Sequence, residues 1–593
     1  MLSCPVHPQS TVKCWVVEKE AELILDPDHS EPPQQSEKSF NPHRVVVYLT
    51  LLAALLAFWG LGNNDFWDDE AFTAVYGRNL IRTGTLIGWD GRNLMDYGMM
   101  GFVNEDMIKT FAPRLQYLVA GLSLQIFGDS TAGGRFLFVF IGLFAIPLAA
   151  AWFKHEFDSD EFWIVALILA LSVPYLLYIR QVRYYPLGLT SFYGFLWIWA
   201  VIGRARHFRW WFLLGMVSLY LLISSQYLYA AGAVAVAIIS LVRPRYRNRR
   251  NLIFLAAIVL VGLASATWIL IFSNSGLLEQ TVDSGTTAQF SKFARLMFMV
   301  PRDAVRFEFF PVGMLLFAAG GAMVLGRARI THLRSILLAL AYGMGIVTAI
   351  SIFSPQIPGS TATDADMRYF VILIPLAAAV GAKIYELLRE TGFRGVPELF
   401  LVILISSNVL TLNFLGRIGL HSRLVQYVGE VMNDYTTGSE AVSRYIEEEI
   451  STEECIFIVP TYMNTIQLYY HPEHKFCGLV TNQAPFAKKH AGELRADLFW
   501  ENAVPDYVIA GGRPPDQMSQ LLTELYGRNT YELEAVLPVF WANVTRPEIP
   551  WRSFSPISIQ DPLVHGVLIF HRTSEPAHPP TIGALEIERY LHF

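Results

Sequence analysis

The chain has 593 residues, of which 53% are hydrophobic, 13% aromatic and only 16% charged; its net charge is -6 and its mean hydropathy +0.36. A soluble domain carries about 25% charged residues, so an ordinary soluble protein is excluded. So are a disordered chain, a disulfide scaffold (4 Cys in all) and a basic nucleic-acid binder. What remains is a polytopic α-helical membrane protein, because its long apolar runs approach the roughly 20 residues that a span requires.

In chain order, residues 1–44 lack a periodic apolar face and read as a flexible cytoplasmic tail. Residues 45–416 hold the apolar runs. About eleven transmembrane helices are expected, near 45–62, 132–153, 162–179, 184–202, 210–223, 226–242, 252–273, 309–326, 335–353, 368–388 and 398–416. The stretch 113–128 is short and carries Arg114, Gln116 and Gln125, so it reads as an interfacial helix within a first outer loop spanning 63–131. With that choice the Arg-rich loops 203–209, 243–250, 327–334 and 389–397 all fall on the side of the N-terminus, as the positive-inside rule requires. The expected location is the cell membrane, multi-pass, with a cytoplasmic N-terminus.

Residues 417–593 would then lie outside the cytoplasm as a soluble domain. Strand-like runs at 455–460, 475–480, 506–512, 530–537 and 564–571 alternate with helical ones at 463–470 and 515–527. That alternation predicts a small α/β domain with a parallel sheet. It carries no G-x-G-x-x-G after its first strand, and the chain has no phosphate-binding Gly-Lys-Ser/Thr loop. The set Cys455, His471, His474, Cys477 has metal-ligand chemistry but no strong zinc spacing. Two buried free thiols, or a disulfide across neighbouring strands, are the competing readings. No metal and no cofactor is assigned; a divalent ion stays open.

Four constellations carry chemistry. "NDFWDDEAF" (Asn64–Phe72) crowds Asp65, Asp68, Asp69 and Glu70 at the outer membrane edge beside Trp67. Clustered carboxylates raise each other's proton affinity, which suits a general base; a solvated acidic loop is the alternative. "YIRQVRYY" (Tyr178–Tyr185) places Arg180 and Arg183 on one face if the helix continues, with forks that fit phosphate or headgroups that they snorkel to. The outer loop 274–308 mixes Glu279, Asp283, Lys292, Arg295, Arg302, Asp303, Arg306 and Glu308, as a polar cavity or a salt-bridged lid would. Arg368 in "DMRYFVILIP" opens a late span and faces a phosphate or a lipid headgroup.

"FWDDEAFTAVYGRNLIRTG", "APRLQYLVAGLSLQIFGDSTAGGRFLFVFIGLFAIPLAAAWF", "PYLLYIRQVRYYPLGLTSFYGF" and "RYFVILIPLAAAV" occur in this order. Together they resemble GT-C-fold glycosyltransferases, the protein O-mannosyltransferase and aminoarabinose transferase group. The resemblance implies transfer of a sugar from a polyprenyl-phosphate donor to a glycan, glycolipid or protein acceptor at the outer membrane face, without a nucleotide. It selects Asp69 over Asp68 as general base, with Glu70 as its neighbour in acceptor binding. Arg183, Arg180 and Arg368, with Lys292 and Arg295, are the expected donor-phosphate ligands. One departure is the absence of a carboxylate after the second-loop arginines, where Tyr184, Tyr185 and Pro186 stand; a metal shared between the two loops is therefore not expected. Direct displacement would invert the anomeric carbon. The alternatives are a lipid-pyrophosphate oligosaccharide transferase or ligase, and a transporter. A transporter would place its ionisable groups at mid-membrane rather than at span ends.

Overall fold

The computed structural model describes residues 41–95, 103–109, 113–272, 286–306, 310–326, 330–353, 367–412, 419–432, 436–459, 461–482, 484–490, 492–511, 514–539 and 566–576. Residues 1–40 of the expected tail, the loop segments 273–285 and 354–366, and the last residues of the chain lie outside these, while Pro42–Arg44 already belong to the first helix. The described chain opens with eleven helices: α1 (Pro42–Phe58), α2 (Asp68–Thr83), α3 (Leu115–Phe127), α4 (Thr131–Leu143), α5 (Ala145–Phe157), α6 (Phe162–Ala170), α7 (Val173–Ile179), α8 (Tyr184–Ile202), α9 (Phe208–Ser225), α10 (Tyr227–Ser240) and α11 (Arg249–Phe272).

The fold is that of a helical membrane protein. α8 buries most of its side chains against α4, α5, α9 and α10. α9, by contrast, exposes Trp210, Leu213, Leu214, Val217 and Tyr220. Helices that are apolar both within the bundle and on its outside are built for a hydrocarbon solvent, in which each backbone polar group must be satisfied within the helix. Each expected span coincides with a helix or helix pair, yet the number that pass on length is smaller than eleven. Among the described residues four helices are long and apolar enough to cross: Thr131–Phe157, Tyr184–Ile202, Phe208–Ser225 and Thr331–Phe353. A fifth is α6 with α7, bent by 70° at a short break. Pro42–Phe58, Tyr227–Ser240, Gly313–Leu325 and Val396–Ser406 are apolar but shorter.

α3 has only 13 residues and lies on α2. The two helices approach closely because glycines face each other: a Cβ on Gly77 would fall 2.7 Å from both the Gly121 nitrogen and the Tyr117 carbonyl oxygen. Ser130 caps α4 by accepting the Gly133 N–H, which turns the chain from α3 into the next helix.

Charged side chains sort into two sets at opposite ends of the helices. At one end Arg243 and Arg245 hold the buried Glu156 and reach Asp158, and Arg389 pairs with Glu161. These are the basic loops that the charge rule puts together. At the other end stand Asp69, Glu70, Arg135, Arg180, Arg183 and Arg368. The stretch expected as the loop 274–308 contains a helix over Thr286–Arg306, in which Arg302 binds Asp303.

Residues Arg423–Met432 form an amphipathic helix that still belongs to the membrane core, with Tyr427 and Val431 buried and the Tyr427 hydroxyl donating to the Leu56 carbonyl. Beyond it lies a five-stranded sheet of order β2-β1-β3-β5-β4, made of β1 (Cys455–Val459), β2 (Lys475–Phe476), β3 (Tyr507–Gly511), β4 (Tyr531–Leu537) and β5 (Val567–Arg572). The expected all-parallel sheet is corrected. β1 pairs in parallel with β2 and β3, but β5 runs antiparallel between β3 and β4. β1 and β3 are buried throughout, as continuous apolar runs demand; β4 is partly exposed along its length and lies at the edge. Cys455 and Cys477 form a disulfide, which removes both the free thiols and the sulfur ligands from the earlier alternatives.

Gly77→Ala should destabilise the detergent-solubilised protein by about 1–3 kcal/mol, because its Cβ meets backbone rather than a side chain able to move. Gly262→Ala, where a Cβ meets nothing within 4 Å, is the control and should be neutral or stabilising. Equal melting temperatures for the two variants would contradict the close α2–α3 crossing.

Candidate active site

The first turn of α2 carries the acidic run Asp68-Asp69-Glu70, at the helix end where the macrodipole favours negative charge. Successive helical residues point about 100° apart, so the three carboxylates part company. Glu70 turns inward. It is fully buried, and its carboxylate takes Arg135 Nε at 3.0 Å and Nη2 at 2.7 Å. It also accepts the backbone N–H of Val182 at 2.9 Å and that of Trp67 at 3.3 Å. Arg135, on α4, gives its remaining N–H groups to the carbonyls of Leu61, Asn64 and Asp65. A bidentate buried pair with every donor used is the arrangement in which ionic burial is least costly.

This corrects the expected role of Glu70. Its oxygens are filled by four donors and it has no exposed surface, so the geometry favours a positioning role, holding the α2 entry loop and the Val182 turn. Arg135, which does this work from α4, was passed over in the sequence because a lone Arg inside an apolar span gives no spacing signal.

Asp69 keeps part of its surface exposed instead. Its Oδ2 lies 2.6 Å from Arg368 Nη1 and its Oδ1 3.3 Å from Arg183 Nη2. All three side chains keep about a sixth to a fifth of their surface exposed. Arg183 also donates to Thr73 Oγ1 at 3.2 Å, and Thr73 in turn donates to the Asp69 carbonyl at 2.9 Å. Arg183 Nε is buried without a hydrogen-bond partner. The Arg368 guanidinium lies 5.5 Å over the Trp67 ring, and that of Arg183 5.7 Å over Tyr184. Arg368 sits in a 3-10 turn, Met367–Phe370, just before the helix Leu373–Arg389. The result is one carboxylate between two guanidinium forks.

Arg180 is not part of it. α7 stops at Ile179 and Arg183 is the extended N-cap of α8, so the helix does not continue and the two arginines do not share a face. Arg180 donates to the carbonyls of Trp59 at 2.8 Å and Gly60 at 2.6 Å and to the Tyr427 hydroxyl. It closes the end of α1 rather than reaching a phosphate. Asp68 opens α2, half-buried. Arg295 and Lys292 lie on the helix Thr286–Arg306; Arg295 is half-buried, and the Lys292 side chain lies outside the described residues. One further cation was not anticipated. Buried Lys109 holds its ammonium 4.4 Å from the Phe72 ring centre and 5.5 Å from that of Tyr76, one or two turns along α2.

Within this acidic cluster the structure raises the proton affinity of Asp65, pushed up to about 7. Burial is the main cause, followed by the charge of Glu440; Arg135 and a hydrogen bond to Tyr470 offset part of it. Its Oδ2 has no hydrogen-bond partner. The sequence argument, in which the acids of the cluster act on one another, names the wrong cause: the burying wall and Glu440 come from the C-terminal part of the chain.

Two stability measurements separate these roles. Glu70→Gln leaves Arg135 charged and buried, and should cost about 3–5 kcal/mol; an acceptor-binding Glu70 would leave stability alone and change only KM. For Asp65 the folded form holds a proton that the unfolded chain releases near its ordinary value of 3.8, so stability falls as pH rises from about 4 through about 7. Asp65→Asn should therefore melt higher than wild type at pH 8, with the gap closing toward pH 4. A gap independent of pH would exclude a protonated Asp65.

No protein-family model matches the chain, and no curated protein matches it. Solved structures similar to it include ArnT from Cupriavidus metallidurans bound to undecaprenyl phosphate, at 12% identity and a TM-score of 0.44, covering 88% of this chain and 97% of that one. Another is the oligosaccharyltransferase AglB from Archaeoglobus fulgidus in complex with an inhibitory peptide and a dolichol-phosphate, at 11% identity and a TM-score of 0.44, covering 82% and 70%. A third is the arabinofuranosyltransferase AftD from Mycobacteria, at 14% identity and a TM-score of 0.38, covering 90% of this chain and 42% of that one. Each of these TM-scores lies below 0.5, and the chemistry proposed for this chain therefore rests on its own residues.

Proposed function

We propose that the chain is an integral-membrane glycosyltransferase that moves a sugar from a polyprenyl-phosphate donor to an acceptor hydroxyl at the outer membrane face. The observation that carries this is the Asp69 carboxylate held between Arg183 and Arg368 at the ends of the helices. The chemistry calls for these groups. A polyprenyl tail stays in lipid and leaves its phosphate at the interface. The leaving phosphate needs positive charge more than a proton, and the acceptor hydroxyl needs a base.

In the absence of donor the two forks neutralise Asp69. An incoming phosphate competes for them, since guanidinium forks match its oxygens, and frees the carboxylate. The acceptor oxygen then bonds to the anomeric carbon as the carbon–oxygen bond to the phosphate breaks. The hydroxyl proton passes to Asp69, and the polyprenyl phosphate leaves with its charge on Arg183 and Arg368. A single displacement of this kind inverts the anomeric carbon. Thr73 and Trp67 hold the arginines from below.

The experiment is complementation of a strain lacking the protein, followed by mass spectrometry of envelope glycans and lipids. Wild type should restore a hexose or pentose increment, and Asp69→Asn should reduce turnover about 10²–10⁴-fold. Activity in Asp69→Asn with loss in Asp68→Asn moves the base by one residue; activity in both removes this loop from catalysis. On purified protein, Arg183→Ala and Arg368→Ala should each weaken donor use roughly 10- to 100-fold, at about 1.5–3 kcal/mol per charge-assisted contact. Lysine should rescue only in part, because it keeps the charge and loses the fork.

Orientation is part of the same proposal: the N-terminus is cytoplasmic and the sheet region is not. Cysteine placed at exposed Ser519 should react with an impermeant maleimide from outside, and cysteine at exposed Arg206 only after permeabilisation. The reverse pattern overturns the topology and the lipid-linked donor with it.

A further inference from the structure

The turn between the helix Thr461–Tyr470 and β2 gathers a second polar cluster, remote in kind from the carboxylate–guanidinium centre. His471 and His474 are both 5% exposed, and Glu473 between them is half-exposed. His474 Nε2 lies 3.1 Å from the Ile450 carbonyl oxygen, which can only accept. The proton therefore sits on Nε2, and Nδ1 presents a lone pair. That Nδ1 is buried and makes no hydrogen bond. His471 Nε2 is engaged by Ser443 Oγ at 2.6 Å, which turns its Nδ1 the same way. Glu473 Oε1 lies 3.3 Å from His474 Nδ1 and 3.8 Å from His471 Nδ1, and the three atoms all lie within 4.8 Å of one another.

We propose that His471, Glu473 and His474 form a divalent-metal site that takes zinc, with water completing its coordination. Zinc–ligand bonds of about 2.0–2.1 Å in a tetrahedron set ligand separations of about 3.4 Å, and Glu473 Oε1 lies 3.3 and 3.8 Å from the two imidazole nitrogens, so a small movement of this exposed side chain and of the rings would close the set. Two imidazoles and one carboxylate suit zinc better than magnesium or calcium, which prefer all-oxygen sets. Each histidine already has an outer partner on its other nitrogen, as metal-bound imidazoles do. The nearby thiols are spent in the Cys455–Cys477 disulfide, so an N/O site is the one left.

The role is structural. Asn93 of the first outer loop donates to the carbonyls of Pro472 at 3.1 Å and His474 at 2.9 Å, and accepts the Phe476 N–H at 3.1 Å. An ion in the 471–474 turn would stiffen the seam between this loop and the sheet.

The test uses the full chain in detergent, without a polyhistidine tag, stripped with EDTA and then dialysed against zinc chloride. Elemental analysis should find about one zinc per chain, and zinc should raise the melting temperature. Cobalt in its place should give the strong visible band of a tetrahedral site. Glu473→Gln, at an exposed position where the fold is safe, should weaken zinc at least tenfold in competition with a chromophoric chelator. His471→Ala with His474→Ala should abolish it. No zinc on the wild type, or zinc retained undiminished by Glu473→Gln and by the histidine variant, overturns the proposal. Neither outcome bears on the Asp69 centre.

Discussion

The buried Glu70–Arg135 pair is the constraint on which the site depends. It joins three stretches at one carboxylate: the loop leaving α1, the first turn of α2 and the turn before α8, whose Val182 N–H ends on the same group. In a low-dielectric surround a half-made version of this network would be strongly unfavourable, so it is either complete or absent. Being complete, it fixes where the preceding residue, Asp69, must point.

From that anchor the electrostatics divide by depth. The inward carboxylate is saturated and has no surface. The outward one meets two guanidinium groups that retain some exposure and can exchange partners. Adjacent acids in one helical turn thus meet opposite surroundings, one sealed against Arg135 and one part-exposed between two guanidinium groups. Arg180 and Arg183 divide in the same manner, since the chain breaks between them: the first is consumed by backbone carbonyls at the end of α1, the second is left to the opening.

The C-terminal sheet region is not an appendage. The Tyr470 hydroxyl accepts the Phe66 N–H and bonds Thr131, and Tyr469 reaches Asp129. Its residues thereby roof the loop that precedes α2, and the environment of Asp65 is made by both parts of the chain. The Asn93 contacts add a second tie between the first outer loop and this region.

Hydropathy is a local property of the chain, and so the sequence alone determined the membrane class, the helical segments, the shortness of the helix at Leu115–Phe127 and the strands of the C-terminal region. It also brought out Asp69, Arg183 and Arg368 as candidates, because charged residues beside apolar runs are conspicuous. It did not distinguish Asp69 from Glu70 in role, since both begin the same helix and only the burial of each tells them apart. Nor did it tell that Arg180 leaves the site, because a break of a few residues between two apolar helices has no strong signature. Arg135 and Lys109 were illegible for the opposite reason: each is a single cation whose meaning lies in a partner far along the chain. Arg368 meets Asp69 across 299 residues and Arg135 meets Glu70 across 65. Those meetings depend on how helices pack, including the glycine-to-glycine crossing of α2 and α3, and only the tertiary structure decides them.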